Sequence, residues 1–116
     1  MTKLSSFFAF LTFIVPFYAS ANCSSISCTG NINDLFTNVY LTHLSDGIIY
    51  LELNDAYRTG LDCALTEGRS IELKSSHPLF KETYSTILTA ISLNKQVFVR
   101  VPKAGACELY YLRMFM

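Results

Sequence analysis

The chain has 116 residues, nine Lys or Arg against nine Asp or Glu, zero formal net charge, four cysteines and no tryptophan. That length suits a single domain. Balanced charge without a Lys/Arg run excludes phosphate-backbone binding as the main role, so no nucleic-acid partner is expected.

Residues 1–21 read as a secretory signal peptide. Lys3 supplies the positive start, residues 7–19 (FFAFLTFIVPFYA) are almost wholly apolar, and Ala19-Ser20-Ala21 is a small-x-small cleavage pattern. The apolar run is well short of the roughly 20 residues that span a bilayer, so no membrane span is expected after cleavage. Asn22 stands between the cut and Cys23, which argues against lipidation. The expectation is export to the periplasm or the medium, with residues 22–116 forming one domain. Loss of Lys3 leaves that domain near −1.

About 95 residues bury a limited core and often need covalent help. Cys23, Cys28, Cys63 and Cys107 are an even set in an exported chain, which reads as two disulfides. Three pairings are open. Cys63–Cys107 is favoured because both lie in strand-like segments that could be neighbours, which leaves Cys23–Cys28 to close a small N-terminal loop. A metal site or reactive thiol fits less well: there is no CxxC, and His43 and His77 are far apart.

Residues 22–30 (NCSSISCTG) are a turn-rich lead-in. Residues 32–44 alternate as a strand, with Leu35, Thr37, Val39 and Leu41 on one side and Phe36, Tyr40 and Leu44 on the other. The stretch 32–36 reads as less regular. Ser45-Asp46-Gly47 signals a hairpin turn. Residues 48–53 (IIYLEL) return as a strand with Ile49, Leu51 and Leu53 on one face. After the loop 54–60 (NDAYRTG), residues 61–65 (LDCAL) and 70–73 alternate again. They read as one bulged strand or a hairpin.

Residues 75–94 predict the main helix. Ser75 or Ser76 is placed to cap it, Pro78 fits the first turn, and Glu82 suits the helix dipole. Phe80, Tyr84, Ile87, Leu88 and Ile91 make one apolar stripe, and Asn94 is a C-terminal stop. Residues 96–101 then alternate, with Val97, Val99 and Val101 inward and Phe98 and Arg100 outward. Residues 102–106 (PKAGA) turn the chain, and residues 107–114 (CELYYLRM) form the last strand.

Strands, one helix after the third strand region, then two more strands predict a mainly β (α+β) fold. The order matches an OB-like five-stranded Greek-key barrel with the helix between strands three and four. Phe80, Tyr84 and Leu88, the run Lys95-Gln96-Val97-Phe98-Val99-Arg100-Val101, and the opening Cys28-Thr29-Gly30-Asn31-Ile32 together resemble small exported bacterial OB-fold-like proteins. The set is distantly similar to the receptor-binding B subunits of AB5 toxins of the subtilase cytotoxin type. The resemblance implies an OB-like fold, homo-oligomers such as pentamers, and binding of cell-surface glycans. No individual residue role comes with it.

Catalytic motifs are missing from the sequence. Gly-x-Ser-x-Gly is absent, so only His43 or His77 could serve as a base. His43 reads as an exposed strand end, and His77, before Pro78 at a helix start, as a local cap. The acids Asp46, Glu52, Asp55, Asp62, Glu67, Glu72 and Glu82 are scattered over turns and polar faces. No metal-ligand spacing or phosphate loop is present, and no cofactor is expected. Tyr40, Tyr50, Phe98, Tyr110 and Tyr111 remain on strands, the first four as candidate binding residues, and the core sets leave Tyr40, Tyr50 and Phe98 on the opposite face. Outward aromatics can stack on sugars, anchor a protein interface, or pack within the domain. The expected role is therefore a non-catalytic binding module for a glycan or an exported protein. The alternative is a small periplasmic inhibitor or stress protein that blocks an exported enzyme through the loop 54–60 or 102–106.

Overall fold

The structure, a computed structural model, describes residues 21–42 and 47–116. Residues 1–20 of the predicted leader, and 43–46 with His43, Leu44 and the Ser45-Asp46 part of the hairpin turn, lie outside the described residues. Among the described residues, seven strands make two antiparallel sheets, joined by one main helix. The first sheet has strand order β1 (Asn22–Ser24), β2 (Ser27–Asn31), β6 (Gln96–Arg100), β7 (Tyr111–Met114). The second has order β3 (Phe36–Thr42), β4 (Ile48–Leu53), β5 (Ser70–Lys74). Mainly β with one helix is as predicted. The closed five-stranded barrel is not: the strands number seven and the sheets do not close.

The physical reason lies at three interruptions. The first is at residues 32–35, where a single helical turn, α1 (Ile32–Leu35), replaces the predicted strand start. Ile32 and Leu35, one turn apart, are both fully buried. Burying that pair on one side is what a helical turn offers and a strand, which alternates faces, does not. Ile32 N–H donates to Lys95 O (2.9 Å) and Asn54 N–H to Leu35 O (2.8 Å), so the turn carries the chain from one sheet to the other.

The second is at residues 61–65, which form no ladder, only parallel bridges Leu61 to Ser25 and Ala64 to Ala106. The third is in the C-terminal segment. Cys107 and Leu109 are buried, and so, partly, are Leu112 and Met114. The inward phase therefore slips between 109 and 112. Residues 107–109 lie parallel to β5, with Glu72 N–H to Cys107 O (2.9 Å) and Leu109 N–H to Glu72 O (2.8 Å). Only after Tyr110 does the chain join β6 as β7.

Both disulfides pair as predicted, Cys23–Cys28 and Cys63–Cys107. Cys23 and Cys28 face each other across the β1/β2 ladder. Gly60 packs the following loop onto this hairpin: Ser25 N–H donates to Gly60 O and Asp62 N–H to Ser25 O, both at 2.8 Å. A side chain at Gly60 would run into the Cys23 carbonyl, a backbone atom fixed by its ladder. Gly60→Ala is expected to cost about 1–3 kcal/mol as local overpacking, read by urea unfolding. An unchanged midpoint would show that the loop is not seated there.

The helix α2 (Phe80–Leu93) starts later than predicted, after Pro78 and Leu79, and no Ser side chain caps it. No other side chain caps its first turn; His77 Nδ1 accepts from Leu79 N–H at 3.0 Å, one residue before the helix begins. Asn94 ends the helix in the left-handed region (φ 47°), its N–H donating to Ala90 O and Ile91 O. The core stripe is also narrower than predicted. Ile87 and Ala90 are buried, and Phe80, Tyr84 and Ile91 pack partly buried against the core, whereas Leu88 is 46% exposed. The helix stripe packs with Val97, Val99, Ile49, Leu51, Leu53, Ile71 and Leu73 in one core. Alternation along β4, β5 and β6 thus leaves the opposite side chains facing outward.

Candidate functional site

The antiparallel register sets Tyr40 opposite Tyr50. Side chains directly opposite on one sheet face are in reach of each other. The two rings stack, centroids 5.3 Å apart and planes 28° from parallel. Tyr40 is 41% exposed and Tyr50 half-buried, so the pair is an aromatic platform on the outward face of the second sheet. The same row continues to Glu72, opposite Tyr50, and across a parallel bridge to Glu108.

Charged groups flank this row. Lys74 Nζ meets Glu108 Oε1 at 2.5 Å. That bond, with the carboxylate's charge, holds the ammonium above its ordinary ionisation range. Arg69 and Glu67 pair at 3.1 Å. Glu52 is held by Arg58 (3.6 Å) and by Asn38 Nδ2 (3.5 Å), while Arg58 also bonds Asp55 (2.6 Å) and Leu53 O (2.9 Å). Burial first, then the Glu72 charge, raises the Tyr50 phenol above its usual value of 10.0. Tyr50 therefore stays a neutral hydroxyl, a donor as well as an acceptor.

Beside the pair lies a cleft of about 230 Å³, lined by Tyr40, Thr42, Tyr50, Thr66, Glu67 and Ser70. Ser70 is the one polar residue fully buried among the described residues. The cleft thus offers an aromatic wall with two phenols, three aliphatic hydroxyls and a carboxylate. Such a set can hold a ring stacked on tyrosine while donating to and accepting from its hydroxyls.

The four aromatics singled out from sequence do not form one site. Phe98 sits on the other sheet, stacked on Tyr111 (6.0 Å, 29°) with the Arg113 guanidinium 4.8 Å from its centroid. Tyr110 is not on a strand, as predicted, but in the phase slip before β7. It is 54% exposed, its N–H donates to Arg100 O (2.8 Å), and its carbonyl lies 2.7 Å from His77 Nε2. A cleft of about 140 Å³ lies there, lined by residues including Glu72, Lys74, His77, Glu108 and Tyr110.

His77 thus has both ring nitrogens engaged. With Nδ1 accepting from Leu79, the proton sits on Nε2 and is donated to Tyr110 O. That ties the helix start to the C-terminal segment, a structural task. Among the described residues, no group of three or more His, Cys, Asp or Glu could hold a metal ion. No helix of those residues is long and apolar enough to cross a membrane.

Sequence reasoning missed Tyr111 and Arg113 as partners of Phe98, and Thr66 and Ser70 as cleft residues. The first signal was available: Leu109 and Leu112 cannot both point inward on one regular strand, so a slip between them turns Tyr111 outward. Thr66 and Ser70 carried no signal, because a turn between 66 and 70 places them (Thr66 N–H to Ser70 O, 2.9 Å). Comparison with known proteins finds no matching family model, no matching curated relative and no matching solved structure.

Proposed function

We propose that this chain is an exported, non-catalytic binding module with an open OB-like arrangement, and that the Tyr40–Tyr50 face binds a glycan. The observation that carries the reading is the stacked, outward tyrosine pair at the rim of a hydroxyl-lined cleft. The parallel bridge Glu72–Glu108, which ties β5 to the segment leading into β7, supports the OB-like order. Two disulfides in a small domain support an oxidising destination. Toxin-B-like assembly into homo-oligomers belongs to this reading as its extension.

A glycan array probed with the disulfide-bonded protein tests it. The strongest glycan should lose about tenfold or more in affinity for Tyr40→Ala, since aromatic anchors carry a large share of a binding energy. Tyr40 is exposed, so the substitution leaves the core alone. An array without signal, or equal binding by the variant, sinks the glycan reading.

One observation favours the inhibitor as a second reading. Residues 103–106 are all exposed, and their loop is braced by Cys63–Cys107, by Ala64 N–H to Gly105 O (2.7 Å) and by Cys107 N–H to Ala64 O (2.9 Å). A rigid exposed loop suits insertion into an enzyme cleft. Periplasmic pull-down that recovers an exported enzyme, lost with Lys103→Asp, would favour it over the glycan.

A further inference from the structure

The Tyr40–Tyr50 cleft has two features that its stacked rings do not explain. The first is the Ser70 hydroxyl. Strand parity turns Ser70 and Glu72 to the outward face of β5, opposite the buried Ile71 and Leu73. Ser70 is nevertheless only 3% exposed. Its N–H donates to Thr66 O (3.1 Å) and its carbonyl accepts from Thr66 N–H (2.9 Å), so the turn lies close against it. Its hydroxyl makes no hydrogen bond among the described residues. Arg100 Nε is the one side-chain nitrogen or oxygen of those residues that is both unpartnered and shut off from solvent. The Ser70 hydroxyl, unpartnered, is therefore open to the cleft that it lines. A polar group so nearly buried is usually paired, so this one calls for a partner brought into the cleft.

The second feature is charge. The cleft lining holds one carboxylate, Glu67, and no cation. The cations around this face are already engaged by carboxylates: Arg69 by Glu67 (3.1 Å), Lys74 by Glu108 (2.5 Å), and Arg58 by Glu52 (3.6 Å) and Asp55 (2.6 Å). Glu72, opposite Tyr50, adds a further carboxylate that makes no ion pair among the described residues. Burial raises the Tyr50 phenol most, Glu72 next and Glu67 further, and the opposing pull of Lys74 is the weakest of these. The tyrosine pair thus stands in a net negative field.

An acidic sugar would enter this field with no free cation to pair with, an arrangement that selects against it. A cationic group is favoured instead. The exposed ring of Tyr40 attracts an ammonium over its face, and Glu67 offers a charge-assisted acceptor. The Arg69–Glu67 pair has both side chains exposed, a weak bond that leaves the carboxylate available. We infer, resting on the glycan reading above, that the sugar taken by this cleft is an unacetylated amino sugar. Its ammonium lies against Tyr40 and Glu67, and Ser70 Oγ bonds one of its hydroxyls.

The test is an NMR titration of the disulfide-bonded protein at mildly acid pH, where sugar amines are charged, following the signals of Tyr40 and Ser70. The probes are the trisaccharide of glucosamine, its fully acetylated form, cellotriose, sialyllactose and trilysine. The glucosamine trisaccharide should bind about tenfold or more tighter than the acetylated form, which lacks the charge. Glu67→Gln should remove most of that preference. Glu82→Gln, the same charge change on the exposed helix surface, should keep it. Ser70→Ala should weaken binding about fivefold. It should not lower the urea midpoint, since the hydroxyl bonds nothing within the domain. Equal or tighter binding of a neutral or acidic trisaccharide overturns the amino-sugar assignment and leaves the glycan reading standing. Equal binding of trilysine overturns it as bare charge attraction. No binding by any of these saccharides also overturns it, and a blank glycan array would take the glycan reading with it.

Discussion

Replacing Cys63 and Cys107 together by alanine is expected to remove about 4 kcal/mol of stability, the loop-entropy value for this separation. The bridge spans 44 residues of sequence. It joins a segment without a strand ladder, residues 61–65, to the start of the C-terminal segment that bridges the two sheets. Both sulfurs are buried, so the native state also loses packing. The Cys23–Cys28 bridge spans 5 residues and lies within a hairpin already paired by β1 and β2. The same model gives about 2 kcal/mol for it. A small domain has only about 5–10 kcal/mol in total, so the first variant should sit near its unfolding threshold at 37 °C. Urea unfolding followed by circular dichroism measures both. A larger loss for the Cys23/Cys28 pair than for Cys63/Cys107 would contradict this ordering.

Leu51→Ala should cost about 3–4 kcal/mol. Leu51 is fully buried at the centre of β4, the middle strand of its sheet, between Val39 and Ile71 in register. Its cavity would open where strands flank it on both sides, so the surroundings have little room to collapse. Leu88→Ala is the informative control. Leu88 belongs to the same predicted class of apolar position, yet it is 46% exposed and should lose well under 1 kcal/mol. Equal losses at the two positions would mean that the helix packs with a wider face than the structure gives it.

Alternation and turn residues made much of this fold legible in advance. Strand β4, strand β6 and the stop at Asn94 follow directly from period-two apolar patterns and a residue tolerant of positive φ. The disulfide pairing followed from neighbouring strand-like segments. What escaped the pattern was decided by tertiary packing. Ile32 and Leu35 satisfy a strand's composition, but burying both on one side favours a helical turn. Ser75 and Ser76 are good caps in isolation, but the helix begins later, at Phe80, out of their capping positions. The barrel did not close because the strand-like segment 61–65 makes only isolated bridges, and α1 takes the place of the predicted start of the first strand.

The site was legible residue by residue but not as an assembly. Parity alone turns Tyr40, Tyr50 and Phe98 outward, and all three are outward. Parity cannot say which sheet each joins, and the α1 turn puts Phe98 on a different sheet from the tyrosine pair. Tyr110 was misplaced by one residue because two tyrosines sit at the phase slip, where only Tyr111 enters the strand.

The claim at the centre is that the Tyr40–Tyr50 face is a ligand surface. Residue-resolved NMR of the disulfide-bonded protein with the strongest glycan from the array tests it most directly. The account predicts shifts concentrated at Tyr40, Thr42, Tyr50, Thr66 and Ser70. An array without a retained glycan, or shifts gathered on the loop 102–106 with the tyrosine signals unmoved, would contradict it.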